Sequence, residues 1–576
     1  MNQKLENILN VSLDATEDEL RKADSLSTGY NWRDNTWEII VKYSGSLESI
    51  RNRYNVYIKE LLNYYAIIVA DKATIELISQ EDVIDYVEKP KSLYYQIERT
   101  KTAACVGSVR ADGNILSGKG VIVGVIDTGI DIFDNAFRNS DGTTRILNIY
   151  DQTTGEKYDK QSIDEYIRLN EDLSGDTFSY DNAPGVDNIM HGTDVSYIAA
   201  GSLGVAYEAD IIAVKMGYSI NNQFPRTTSL MDAIDYIIRK AIEYRKPVAV
   251  NISYGCNYGA HNGNTLLESF IDDISKSYRC VICVGSGNEA DKAIHFGGII
   301  NTGQVQTAYL SVGEYQSAID IQIWKNYWDT IDVMLINPRG EQIGIITEGR
   351  INRYETYNTE IITLLGEPSP YNIYQEIYIN LIPKTDYILS GIWQIVLMAG
   401  SIRAGEYNIW LPSSQALGYA TAFNNPTADG TITIPATARN CIAVGAYNAY
   451  TNSYAAFSGR GFDNSIRNVN AGVKPDITAP GVDISIARQR GNDITYRNVT
   501  GTSYAVPVVT GAAALLMQWG IVMGNDRFMY GEKLKAALID GSKPVGLVGI
   551  TRNDNQPDPR TGWGAVCLKN TLNKIL

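Results

Sequence analysis

The stretch Val499-Thr-Gly-Thr-Ser-Tyr-Ala-Val-Pro507, continued by Val508-Val-Thr-Gly-Ala-Ala-Ala-Leu-Leu516, decides how the rest of the chain is read. A turn around Gly501 leads to Ser503 and then into an apolar, small-residue segment that reads as a buried helix with Pro507 near its start. A serine in the first turn of such a helix holds its hydroxyl at the positive end of the helix dipole, where developing negative charge is favoured. That placement suits a nucleophile. A serine there equally serves as a helix N-cap, so this stretch alone leaves both roles open.

Three upstream blocks narrow the choice. Lys119-Gly-Val-Ile-Val-Gly-Val-Ile-Asp127-Thr-Gly-Ile-Asp131 is a continuous apolar run, the pattern of a fully buried parallel strand, and functional residues collect where such strands end. Met190-His191-Gly-Thr-Asp-Val-Ser-Tyr-Ile-Ala-Ala200 sets a histidine at the head of a helical stretch, in a chain with only 3 histidines. The strand Cys280-Val-Ile-Cys-Val-Gly-Ser-Gly287 then delivers Asn288, whose side-chain amide can donate to an oxyanion. The chemistry explains the set. Serine is a poor nucleophile until a histidine takes its proton, and the histidine needs a carboxylate to hold its tautomer and stabilise the imidazolium.

In order, Asp-Thr-Gly, His-Gly-Thr, Gly-Asn-Glu and Gly-Thr-Ser-x-Ala-x-Pro resemble the motifs of the subtilase family. The resemblance implies Asp127 as orienting acid, His191 as general base, Ser503 as nucleophile and Asn288 as oxyanion donor, with the Ser503 amide as second donor. It also makes Ser253-Tyr254-Gly255, at the end of the run from Pro247, the strand that pairs backbone to backbone with a bound peptide. A plain strand end reads the same way. The implied fold class is α/β, a subtilisin-like parallel sheet with helices on both faces.

Two further regions are expected. Residues 1–96 read as a small α+β unit: strands at Thr36–Tyr43, Tyr64–Val69 and Val83–Pro90, with helices at 46–62 and 73–79. This resembles the subtilase propeptide. Leu93-Tyr-Tyr-Gln96 would then lie in the substrate cleft, with self-cleavage at or near Gln96; an ordinary N-terminal domain that is never removed is the alternative. Residues 305–424 hold short alternating apolar runs separated by turn residues, the pattern of an all-β sandwich, taken as a jelly-roll-like insertion. The catalytic domain would comprise 97–304 and 425–576. This arrangement resembles the Csp germination proteases of clostridia, whose family role is to cut the zymogen of a spore cortex-lytic enzyme. Such a zymogen, the chain's own propeptide and other Csp-like proteins are therefore the expected partners.

The histidine block departs from the family's His-Gly-Thr-His-Val-Ala-Gly: here Asp194 follows Thr193, and Tyr197 stands where the glycine is usual. Tyr207 replaces the usual proline after Gly-Val-Ala. If Asp194 lay beside the imidazole it would raise that pKa, and Tyr197 must displace a neighbour or shift the helix. A second reading, of a different class, follows: a catalytically impaired subtilase acting as a germinant sensor or a scaffold for a partner protease.

Composition sets outer bounds. At 576 residues, 44% hydrophobic and 20% charged, the chain is globular and large enough for several domains. A net charge of −15 argues against nucleic-acid or anionic-membrane partners. The polar start Met-Asn-Gln-Lys-Leu-Glu-Asn lacks a signal peptide's apolar core, so synthesis in the cytoplasm and packaging in the spore are expected. No membrane span, cofactor or metal is expected. Asp131, Asp134 and Asp141 show no regular calcium-ligand spacing and read as solvated loop carboxylates. His261 and His295 read as surface or loop histidines, His295 being near enough in sequence to Asn288 to line the cleft. Cys280 and Cys283 read as buried free thiols rather than a redox pair.

Overall fold

The computed structural model describes residues 2–92, 94–95, 116–170, 182–217, 224–344, 346, 349–462, 472–490, 493–546 and 557–575. Gln96 and Leu93, on which the cleavage expectation rests, lie outside the described residues.

The apolar runs form the centre of a nine-stranded sheet. Ile122–Asp127 lies between Asp210–Lys215 and Val248–Ile252, parallel to both. The order continues through Cys280–Gly285 to Ile442–Asn448 on one side and to Ile146–Asp151 on the other, all parallel. Short antiparallel strands at Ser453–Tyr454 and Lys157–Asp159 close the two ends. Every residue of Ile122–Asp127 is buried, because helices cover both faces. His191–Ala200 and Thr502–Met517 pack into one core with the strand residues Val123, Val125 and Val281. Thr227–Tyr244 and Leu266–Ser277 pack into another with Ile122, Val250 and Ile282.

Thr502–Met517 has no polar face: all of its residues are buried. Together with the turn that follows, Thr502–Val522 is long and apolar enough to cross a membrane, contrary to the expectation that no such run exists. Its window is 89% buried inside the protein, so it is the core helix of the sheet. Cys280 and Cys283 are buried free thiols on the adjacent strand, and burial pushes both up to about 12.

The N-terminal region forms a sheet of Thr36–Tyr43, Tyr65–Ala70, Tyr57–Glu60 and Ile84–Glu88, with Tyr30–Asn31 at its edge. Two details differ from the sequence expectation. The helix expected over 46–62 ends at Tyr54, where Asn55 adopts a left-handed conformation, and the chain returns as the strand Tyr57–Glu60. Three short helices, Asn7–Asp14, Glu17–Lys22 and Asp24–Ser27, precede the sheet and were not anticipated. One face of the sheet (Ile40, Tyr65, Ile67) packs on the helices Thr227–Tyr244 and Leu266–Ser277. The other face shares a core with Ile362, Leu364, Tyr378 and Ile382 of the β region.

That β region consists of a six-stranded and a five-stranded sheet, with Ile321, Ile379, Trp393 and Ile395 in the core between them. His295–Ile299, expected to precede it, is hydrogen-bonded into its six-stranded sheet against Glu406–Trp410. His295 is therefore a strand residue, whereas His261 does lie in a loop, between Tyr254–Gly255 and Leu266–Ser277, and neither is at the surface. Both are buried, at 1% and 4% exposure, and they stack on opposite partners of one ring system: Trp410 lies 4.9 Å from His295 and 4.2 Å from His261, near-parallel to each. The Trp410 sandwich, rather than the cleft, takes up His295.

Candidate active site

Four of the expected residues come to one edge of the parallel sheet, where strands end and functional groups collect. Asp127 is the last residue of Ile122–Asp127, and its Oδ1 accepts from the Thr128 amide at 2.8 Å. His191 opens its helix, and its Nδ1 lies 2.6 Å from the same Asp127 Oδ1. A carboxylate oxygen only accepts, so Nδ1 carries the hydrogen and Nε2 is left as the basic nitrogen. The approach requires Gly192: a Cβ there would stand 2.3 Å from the Gly129 oxygen and 2.9 Å from the Asp127 Cβ.

Ser503 is fully buried, as the second residue of Thr502–Met517. The cap position belongs to Gly501, with φ +147°, and no side chain caps the helix. The capping role that the sequence left open for Ser503 is therefore not the one it has. Its neighbour Tyr504 places its ring 5.3 Å from the His191 ring. Asn288 turns its Oδ1 to Thr502, accepting from the amide and the hydroxyl at 3.1 Å each. That assigns the amide orientation and leaves Nδ2 buried, without a partner among the described residues. Such a donor suits an oxyanion.

Ser253, Tyr254 and Gly255 divide in role. Tyr254 and Gly255 pair antiparallel with Tyr95 and Tyr94, so the end of the N-terminal region lies along this strand as an added strand. The Ser253 hydroxyl points into the protein instead, donating to the Ser503 carbonyl at 3.3 Å and accepting from Asn251 at 3.0 Å.

Asp187 escaped the sequence reading. Fully buried, it accepts from Thr128 Oγ1 at 2.6 Å, from the Met190 amide at 2.7 Å, and from the Thr193 amide and hydroxyl at 2.8 Å each. It thereby ties the turn after Asp127 to the start of the His191 helix. An acid just ahead of a helix start is an ordinary capping signal, which is how it could have been found. Asp194 is likewise corrected. It is fully buried, but its carboxylate pairs with Arg488, whose Nε is 3.0 Å away, and with Arg497. Tyr197 finds room because Gly201 follows: a Cβ there would stand 3.0 Å from Cδ2 of the Tyr197 ring.

Asp131 and Asp134 are buried rather than solvated, and each accepts a nearby backbone amide, from Phe133 at 3.0 Å and Ala136 at 2.9 Å. Asp141 is exposed and bonds to Thr143. Among the described residues no group of three or more His, Cys, Asp or Glu side chains is arranged to hold a metal ion.

Glu289, beside Asn288, is buried and accepts from the Ser414 amide at 3.1 Å and hydroxyl at 3.2 Å. Burial pushes it up to about 7, opposed by the Ser414 bonds and Lys292. The folded state holds this proton more tightly than the unfolded chain, so stability falls as pH rises from the ordinary carboxylate range through 7. Glu289→Gln removes that dependence. Its thermal stability should gain on the parent between pH 5 and pH 8, by up to about 3 kcal/mol. An offset that is the same at both pH values would show the carboxyl to be ionised throughout.

Known proteins resemble this chain in sequence and in fold. The model of the subtilase family matches residues 118–368 and 404–564, and that of the Csp protease B prodomain matches residues 3–91. The solved CspB protease of Clostridium perfringens is 34% identical, with a TM-score of 0.74, covering 82% of this chain and 96% of that one. Subtilase-type proteinase RRT12 of Saccharomyces cerevisiae is 33% identical over 128 residues, 22% of this chain and 23% of that protein. Subtilisin-like protease 10 of Arthroderma otae is 34% identical over 120 residues, 21% of this chain and 27% of that protein. The chain thus spans about a quarter of the length of these curated relatives. Family models covering most of the chain, and a solved relative matched over nearly its whole length, agree on one conclusion: the chain belongs to the subtilase family and, within it, to the Csp proteases.

Proposed function

We propose that the chain is a serine endopeptidase of the subtilisin type, which cleaves itself at or near Gln96 and activates a spore cortex-lytic zymogen. The observation that carries the reading is the 2.6 Å bond from His191 to Asp127, made on the edge that also holds Ser503 and Asn288. In this reading His191 Nε2 takes the Ser503 proton as Oγ attacks the peptide carbonyl, and Asp127 stabilises the imidazolium. The carbonyl oxygen, now anionic, is held by Asn288 Nδ2 and the Ser503 amide. His191 then returns the proton to the leaving amine, and water releases the acyl group by the same steps reversed. The pairing of Tyr94–Tyr95 with Tyr254–Gly255 supports a first cut just beyond Tyr95. Packaging in the spore and partnership with other Csp-like proteins belong to the same proposal and rest on family membership.

Labelling the purified protein with a fluorophosphonate tests the chemistry. The expected adduct sits on Ser503 and is absent from His191→Ala. A folded parent that takes up no label would favour the sensor or scaffold reading. Asn288→Ala should lower kcat on a peptide substrate by about 10²–10³ with little change in KM; an unchanged kcat would remove Asn288 from the oxyanion site.

A further inference from the structure

A cavity of about 460 Å³ opens beside the catalytic sheet, apart from the triad. Its floor is an ionic cluster at the start of the strand Ile477–Pro480. Asp476 lies between two lysines, with Lys474 Nζ 2.7 Å from one oxygen and Lys535 Nζ 2.9 Å from the other. All three side chains are at least 89% buried, with exposures of 6%, 11% and 10% for Asp476, Lys474 and Lys535. Two ammonium groups on one carboxylate leave a positive charge over. Arg439 and Arg460 also line the walls, the Arg460 guanidinium lying over the Tyr454 ring with its Nε donating to the Tyr454 hydroxyl at 3.2 Å. Among the described residues, Glu532, 59% exposed and 3.6 Å from Lys535, and the buried Asp272, whose charge acts on Lys474, oppose these cations. In a chain of net charge −15 this is a local reversal of sign. A concave, low-dielectric wall concentrates such a field.

The rest of the lining mixes the polar side chains of His261, Asn262, Thr437 and Asn440 with apolar ones. Ile432, Phe462, Val473 and Ile539 contribute, and Trp563 stands with 44% of its surface exposed. The volume is that of an ordinary small-molecule site, and apolar side chains with convergent polar groups are the usual build of one. We propose that this cavity is a binding site for a small organic anion with an apolar body. The anionic group would meet the Arg439, Arg460 and lysine charges, and the body would lie against Phe462 and Trp563.

The walls also reach the oxyanion loop. Thr431 donates to the Arg460 carbonyl at 2.9 Å and Gly430 to that of Gly461 at 3.1 Å, so the two wall segments are zipped together. Thr433 donates to Ser286 at 3.0 Å and Gly459 to Gly287 at 2.8 Å, the two residues directly before Asn288. On the other side the Gly430 carbonyl accepts from the Trp410 indole at 2.9 Å, which joins the wall to the β region. An occupant therefore bears on a contiguous backbone network ending at Asn288. A ligand that prefers one arrangement of that network shifts the site accordingly.

The test uses the full chain and reads binding, so it is independent of whether the protein is catalytically active. The probe is 8-anilinonaphthalene-1-sulfonate, titrated by fluorescence against the parent and Arg439→Gln/Arg460→Gln. One saturable site is expected, weakened about tenfold or more in the double variant, as loss of charge-assisted bonds would give. The uncharged N-phenyl-1-naphthylamine should bind the parent more weakly by a similar factor. Trp563→Ala, at a half-exposed position, provides a second variant should the double one fail to fold, and it too should lose affinity. Unchanged sulfonate affinity in a folded variant, or equal affinity for the uncharged probe, would overturn the proposal.

Discussion

Ser503→Ala should leave the chain at its full 576-residue mass, while the parent, purified in parallel, appears as two fragments divided at or near Gln96. Intact mass and N-terminal sequencing read both outcomes. On a separate peptide substrate the same change should lower kcat by about a millionfold, the scale found when a triad serine is removed. The substitution takes one oxygen from a fully buried helical position and substitutes a better helix former, so a loss of activity cannot be ascribed to unfolding. An identical cut in parent and variant would assign the cleavage to another protease. A single uncut chain in both would sink self-cleavage and favour a sensor or scaffold.

The second large effect concerns stability. Asp194 is fully buried on the helix that carries His191, and its partners Arg488 and Arg497 lie on the hairpin Ile484–Arg490 and Asp493–Val499. That hairpin runs directly into the Gly501 turn and Ser503. The ion pair thus joins the helix of His191 to the segment that leads into Ser503. Arg488 has a side-chain exposure of 14%, and removing its carboxylate takes from a largely buried cation the Asp194 counter-charge, while its bond to the Met190 carbonyl stays. Asp194→Ala should therefore cost about 3–5 kcal/mol. Most of this comes from Arg488, since Arg497 is 40% exposed and solvent screens it. Denaturant midpoints measure the loss, and a change below about 1 kcal/mol would show the cluster to be incidental. Activity measured where the variant is still folded should fall as well. A displacement of the base by about 1 Å costs about a hundredfold.

This pair reverses one implication of the sequence. An aspartate in place of the family's second histidine suggested either a perturbed imidazole or a loosened support for the triad. The tertiary structure instead gives the helix an added tie to the strand region before Ser503. A buried acid on a helix implies a cation opposite it. Nothing local says which one, because Arg488 is 294 positions away.

The same division runs through the molecule. The apolar run ending at Asp127, the glycine-flanked Asn288 and the small-residue helix after Ser503 were legible because strand burial, turn chemistry and helix character are written in neighbouring residues. The pairing of Tyr94–Tyr95 with Tyr254–Gly255 was legible only through resemblance, and Gln96 itself lies beyond the described residues. Asp187 left only a capping signal. The histidines flanking Trp410, drawn from positions 261, 295 and 410, left none.

By itself, then, the sequence determined the parallel sheet, the family and the set of chemical groups, since these depend on periodicity, on turns and on short motifs. Only the tertiary structure decided which acid bonds the imidazole and which pairs with the arginines, which end of the Asn288 amide faces Thr502, and that a cavity lies over the Asp476 cluster. Those outcomes depend on distances between residues far apart in the chain, and the balance of burial against pairing that sets them arises only once the chain has folded.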